Sequence, residues 1–78
     1  MKTYTLENKP TFENNEYVNV DMSLFGIKET RKRYETGRIT GKSIEGLLDF
    51  WIVDFGKMPL LPNGFQAMTV PHTFIVVK

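Results

Sequence analysis

The sequence predicts an all-β domain, a small barrel of five strands with one tight turn before the last. Three observations predict it. The stretch Asp49-Phe50-Trp51-Ile52-Val53-Asp54-Phe55 gathers the only Trp and two of the six Phe among β-branched residues, between Gly46 and Gly56. That is the composition of a central strand. Residues 34–43 place Gly37 and Gly41 around Ile39 with a period of two. Glycine inside a strand marks a bend, a bulge or a close approach, and small barrels need such bends to turn corners. Finally, Pro71-His72-Thr73-Phe74 suits a single 3₁₀ turn, with the proline setting the first dihedral.

The elements follow in order. Residues 1–15 are polar and contain Pro10; they read as an extended N-terminal arm, with Asn14-Asn15 as a turn signal. Residues 16–22 alternate, placing Val18 and Val20 inward and Tyr17 outward or at the strand's edge. Residues 23–34 read as a long loop. A helical turn from Ser23 is conceivable, but Gly26 and the short length disfavour a true helix. The bent second strand comes next, then the central one. There, alternation puts Trp51, Val53 and Phe55 on one face and Phe50 and Ile52 on the other. The first set is the predicted core. Two prolines and Asn63-Gly64 make residues 57–64 a loop. Phe65 to Val70 is the fourth strand, and Ile75-Val76-Val77 a short fifth that pairs with the first. The domain proper therefore spans 16–78.

Composition limits function. A chain of 78 residues is one domain with a modest core. Without cysteine there is no disulfide and no thiolate metal site, and the lone His72 cannot build a metal centre unaided. The lack of cysteine fits a reducing cytoplasm. No apolar run reaches the length of a membrane span, and the first residues lack the apolar block of a secretory leader. Net charge is only +1, yet Lys28, Arg31, Lys32, Arg33, Arg38 and Lys42 concentrate six of the ten basic residues.

The element order resembles an SH3-like barrel. Asp49-Phe50-Trp51 stands where SH3 domains carry a paired aromatic. Val70-Pro71-His72-Thr73-Phe74-Ile75 is similar to their 3₁₀ turn between the fourth and fifth strands. The bent Gly37-x-Ile39-x-Gly41 strand is similar to the second strand of prokaryotic SH3-like and KOW-type barrels. The resemblance covers residues 16–78 and is one of architecture. It implies that Phe50, Pro71 and Phe74 fall where SH3 domains hold proline-rich peptides. The Ala-Leu-Tyr-Asp-Tyr motif is absent, and the first loop is basic where peptide-binding SH3 domains are acidic. Arg-flanked Pro-x-x-Pro ligands are therefore not expected.

Two sets of residues are candidates for a site. The six basic residues, with Tyr34 and Phe25 to stack on bases, form a candidate nucleic-acid contact. The plain alternative is a solvated charged loop, since Glu29 and Glu35 interrupt it. Phe50, Ile52 and Phe74, beside Asp49 and Asp54, form a candidate protein contact; its alternative is cover by a loop. Gly37 to Ser43 is not a phosphate loop, because the glycine spacing is one residue short and no helix follows. His72 reads as a turn histidine bonded to backbone or solvent rather than as a catalyst. Asp49 and Asp54 fall on opposite faces and make no acid–base pair. One enzymatic resemblance remains. Phe65-Gln66-Ala67-Met68 is similar, through its Gln alone, to the Val-Gln-Ile-Tyr pore motif of type II dihydrofolate reductases.

The expectation is thus a non-catalytic binding module without cofactor. Its leading ligand is nucleic acid, contacted through the basic loop; the alternative is a protein-binding adaptor or inhibitor that uses the aromatic surface, and the module is open to homodimer formation. An oligomeric reductase is the remote reading.

Overall fold

A computed structural model describes residues 2–26, 33–56 and 67–78, apart from the side chains of residues 44 and 45. Four strands make one antiparallel sheet in sequence order: β1 (Tyr17–Asp21), β2 (Tyr34–Glu45), β3 (Leu48–Asp54) and β4 (Ala67–Pro71). The sheet curls around its inner face and the described residues include no α-helix. Two 3₁₀ turns complete it, Met22–Phe25 after β1 and His72–Phe74 after β4. Both follow from local chemistry. Asp21 caps the first, its Oδ1 accepting from Ser23 N at 3.1 Å, and Gly26 ends it at φ 71°. Pro71 leads into the second at φ −64°.

The expected fifth strand, Ile75-Val76-Val77, forms only as two single bridges, Val20 with Ile75 and Thr3 with Val76. Val76 N donates to Asn19 O at 2.8 Å, so the segment does lie along β1, as the sequence suggests. The second 3₁₀ turn comes so soon before it that regular pairing has little length in which to develop.

Alternation on β3 is strict. Asp49, Trp51 and Val53 are buried, while Leu48, Phe50, Ile52 and Asp54 are partly exposed. Trp51 and Val53 join Val18, Val20, Ile39 and Val70 in the core, with Phe55 packed against it. Each such side chain contributes roughly 1.5–3 kcal/mol by leaving water. The N-terminal segment adds Phe12, whose ring meets Trp51 edge-on at 5.0 Å and Tyr4 at 6.0 Å. The Asn14-Asn15 turn forms with Asn15 at φ 72°, and Asn15 N donates to Ile39 O at 2.7 Å.

β2 contains the feature that organises the surface. Its register against β3 runs Arg38 with Asp54 and Ile39 with Val53, then skips Thr40 and resumes at Gly41 with Ile52. This is a β-bulge. One extra residue reverses the sidedness of everything beyond it. Gly37 and Gly41 therefore have different roles. Gly37 lies buried, where a Cβ would meet Val53 Cγ1 at 2.3 Å and Phe55 Cδ1 at 2.9 Å. Gly41 lies across from Ile52, where a Cβ would sit 3.3 Å from Ile52 Cδ1.

Three polar residues are buried within this frame, Asp21, Asp49 and His72. Asp21 accepts from Ser23 N, from Ser23 Oγ at 2.6 Å, and from Arg33 through Nε at 3.3 Å and NH2 at 3.2 Å. Burial pushes its carboxyl up. The hydrogen bonds from Ser23 and Arg33 and the guanidinium charge outweigh that and hold it below the ordinary value of 3.8. His72 is fully buried. Asp49 N donates to its Nδ1 at 3.2 Å, so the ring proton sits on Nε2, which donates to Thr5 O at 2.7 Å. The ring thus ties the N-terminal segment to the central strand. This is the backbone-bonded turn histidine that the sequence suggests.

Candidate binding surface

The outer face of the sheet is assembled by direct cross-strand pairing. Tyr17 on β1 lies opposite Arg38 on β2, which lies opposite Asp54 on β3, which lies opposite Ala67 on β4. Past the bulge the same face continues as Gly41, Ile52 and Thr69, then Ser43, Phe50 and Pro71. Tyr17 is 64% exposed and stands between two shallow clefts. One, of ≈ 300 Å³, is lined by Thr36, Gly37, Arg38, Asp54 and Phe55. The other, of ≈ 310 Å³, is lined by Asn19, Thr36, Val76, Val77 and Lys78. Thr36 Oγ1 donates to Asn19 Oδ1 at 2.6 Å, which fixes the shared wall.

Charge on this face is locally cancelled. Arg38 NH2 lies 3.4 Å from Asp54 Oδ2. Lys78 pairs with Glu16, whose carboxyl is held low chiefly by the Lys78 hydrogen bond, with help from the Glu13 backbone N–H.

The predicted partner-binding residues divide. Phe50 and Ile52 share the outer face, both partly exposed. Phe74 does not stand free with them. Its ring packs edge-on against Phe25 at 4.8 Å, joining the two 3₁₀ turns. Tyr17, which the sequence places outward without assigning it to a site, is the most exposed aromatic of the face. An aromatic at an outward strand position was the available signal; the clefts beside it depend on the register and could not be read.

The predicted nucleic-acid residues are also divided. Lys28, Arg31 and Lys32 lie outside the described residues. Arg33 sits beside Asp21 and over the Tyr34 ring, 5.2 Å from its centroid. Arg38 is on the outer face with Asp54. Lys42 is four residues further along, a spacing that would share a face in a regular strand. The bulge turns it to the Trp51 side, where its ammonium lies 4.9 Å from the indole centroid and 3.4 Å from Asp49 Oδ2. Lys9 reaches the same carboxylate at 3.8 Å. The three described cations therefore do not form one strip, and each has a carboxylate partner.

Of the residues similar to the reductase pore motif, Phe65 and Gln66 lie outside the described residues, and Ala67 and Met68 begin β4. Among the described residues no group of three or more His, Asp or Glu is placed to hold a metal ion, and no helix is long and apolar enough to cross a membrane. Comparison with known proteins finds no matching family model and no significant match among curated proteins or solved structures.

Proposed function

We propose that the chain is a small non-catalytic binding module that contacts a protein partner through the outer face of its sheet. The observation supporting this most is the strand register, in which the Tyr17–Arg38–Asp54 pairing and the alternation of β3 put Phe50 and Ile52 on the same face as Tyr17, while the bulge at Thr40 sends Arg38 and Lys42 to opposite sides. An exposed aromatic between shallow clefts, with ion pairs rather than free charges around it, suits an uncharged or mixed polypeptide surface better than a polyanion. The finer architectural reading is a closed five-stranded SH3-like barrel, supported by the 3₁₀ turn at His72–Phe74 and by the Val20–Ile75 bridge.

Nucleic acid is the second reading. It is favoured by Arg33, whose side chain is 62% exposed over Tyr34 at the end of the segment carrying Lys28, Arg31 and Lys32. One pair of experiments separates the two. Immobilised wild type should enrich a protein that is lost with Tyr17→Ser or Phe50→Ser and kept with Arg31→Ala/Arg33→Ala. Duplex and single-stranded probes at low and moderate salt should show no binding sensitive to that double substitution. Salt-dependent binding that disappears with it would establish the second reading instead.

A further inference from the structure

His72 is the only histidine of the chain, and both of its ring nitrogens are committed inside the fold. Thr5 O can only accept, so Nε2 carries the proton directed at it, and Nδ1 is left as the acceptor for Asp49 N. This arrangement requires a neutral ring. A second proton would sit on Nδ1 and face the N–H of Asp49. One hydrogen bond would be lost, and a charge would be added where water is excluded.

The charged groups on the surrounding elements do not offset that cost. β3 brings the Asp49 carboxylate, but Lys42 of β2 lies 3.4 Å from it and Lys9 of the N-terminal segment 3.8 Å. Two ammonium groups thus already share one carboxylate, and an imidazolium beside them would be a third cation. Glu7, on the same segment as Thr5, is exposed. The turn Met22–Phe25, which meets the His72 turn through Phe25 and Phe74, carries no charge, and neither does β4.

What the ring holds is a strap. Residues 2–5 run along residues 75–77. Tyr4 N donates to Ile75 O at 3.1 Å, Val77 N donates to Lys2 O at 2.8 Å, and Thr3 bridges Val76. The strap is itself exposed or half-buried, so little apolar burial retains it. We infer that His72 is a proton-operated latch, which docks residues 2–5 on residues 75–77 while its ring is neutral and releases them in mild acid, with the sheet still folded. Docked, the ring holds one proton; released, it reaches water and can hold two. Release is therefore favoured as pH falls below the ordinary value for an imidazole in water, about 6.5, by up to about tenfold per unit.

Amide hydrogen exchange and ring NMR of the whole chain, from about pH 7.5 to about pH 5, test the latch. Protection of the Tyr4 and Val77 amides should fall at least about tenfold. Val76, which donates to Asn19 O, and Ile39, which donates to Glu16 O, should keep theirs. The carboxyls of Glu16 and Asp21, both held below their ordinary values, stay ionised over that range. Ring signals of the sole histidine should titrate together with the loss at Tyr4 and Val77. His72→Gln offers Thr5 O an amide N–H and takes up no proton, so its strap protection should not change with pH. Protection at Tyr4 and Val77 that is constant across the range would overturn the latch. Equal losses at Val76 and Ile39 would overturn it too, since the sheet would then be unfolding as a whole. A wild-type acid response retained in His72→Gln would do the same. Should that variant fail to fold, strap release in the wild type at a pH where the ring signals do not move would be decisive against it.

Discussion

On β3 the side chains of Trp51 and Val53 enter the core, while those of Phe50 and Ile52 leave it, and the two sets are partnered differently. The inner set meets packed hydrocarbon and backbone groups that are tied down from a distance. The outer set meets small residues, Gly41 and Ser43 on one side and Thr69 and Pro71 on the other. A seven-residue strand thus divides its labour by parity: stability on one side, available surface on the other. Burial separates the ionic groups too, though not by parity. Asp21, at the end of β1, is 4% exposed and bonded by both Ser23 and Arg33, whereas the more exposed Asp54 has Arg38 and its own turn at Gly56 N. Buried carboxylates of the first kind are costly to disturb, and exposed pairs of the second kind contribute about 0–1 kcal/mol.

The largest effect should come from His72→Ala. It removes a fully buried ring and orphans both Asp49 N–H and Thr5 C=O. Loss of volume and of two hydrogen bonds should lower stability by about 3–4 kcal/mol. Chemical denaturation measures this, and a loss below about 1 kcal/mol would mean that the ring is no anchor. Gly37→Ala comes next. Its Cβ would overlap Val53 Cγ1, so β1 and β2 must shift relative to β3, at a cost of about 2–3 kcal/mol. Gly41→Ala is the control. Its nearest neighbour is the flexible end of Ile52, and the cost should be under about 1 kcal/mol.

Asp21→Asn should cost about 2 kcal/mol at neutral pH, through the Arg33 pair and the turn that Asp21 caps. Its pH dependence has a definite sign. The native carboxyl titrates below the unfolded value of 3.8, so its contribution is complete above that pH and fades as pH falls through the native value. Denaturation midpoints of wild type and variant should therefore converge in acid. A gap that stays constant from neutral pH down past the native value would remove the carboxylate from the account.

Much of this division is legible in the residues. Val18 and Val20 inward, Tyr17 outward, the Trp51 face against the Phe50 face, and the proline-led 3₁₀ turn all follow from period-two alternation and local turn chemistry. The bulge shows where such reading stops. Gly37, Ile39 and Gly41 have one period in the sequence, but the extra residue at Thr40 sets Gly41 on the other face, and only the pairing partner determines that. Long-range anchors were hidden for the same reason. Nothing about His72 in sequence points to Thr5, 67 residues away, and nothing in a polar N-terminal stretch singles out Phe12 as the ring that meets Trp51. The basic residues were adjacent in sequence and became a candidate strip for that reason alone. The partners Asp21, Asp49 and Asp54, all distant along the chain, appear only once the strands are registered.

The most direct test of the two-faced sheet is the double variant Tyr17→Ser/Phe50→Ser, measured by chemical denaturation and by partner capture on the same sample. Exposed Tyr17 and partly exposed Phe50 together should cost no more than about 1–2 kcal/mol, and capture of the protein partner should be abolished. Capture that persists in a folded double variant would contradict the assignment of the outer face as the binding surface.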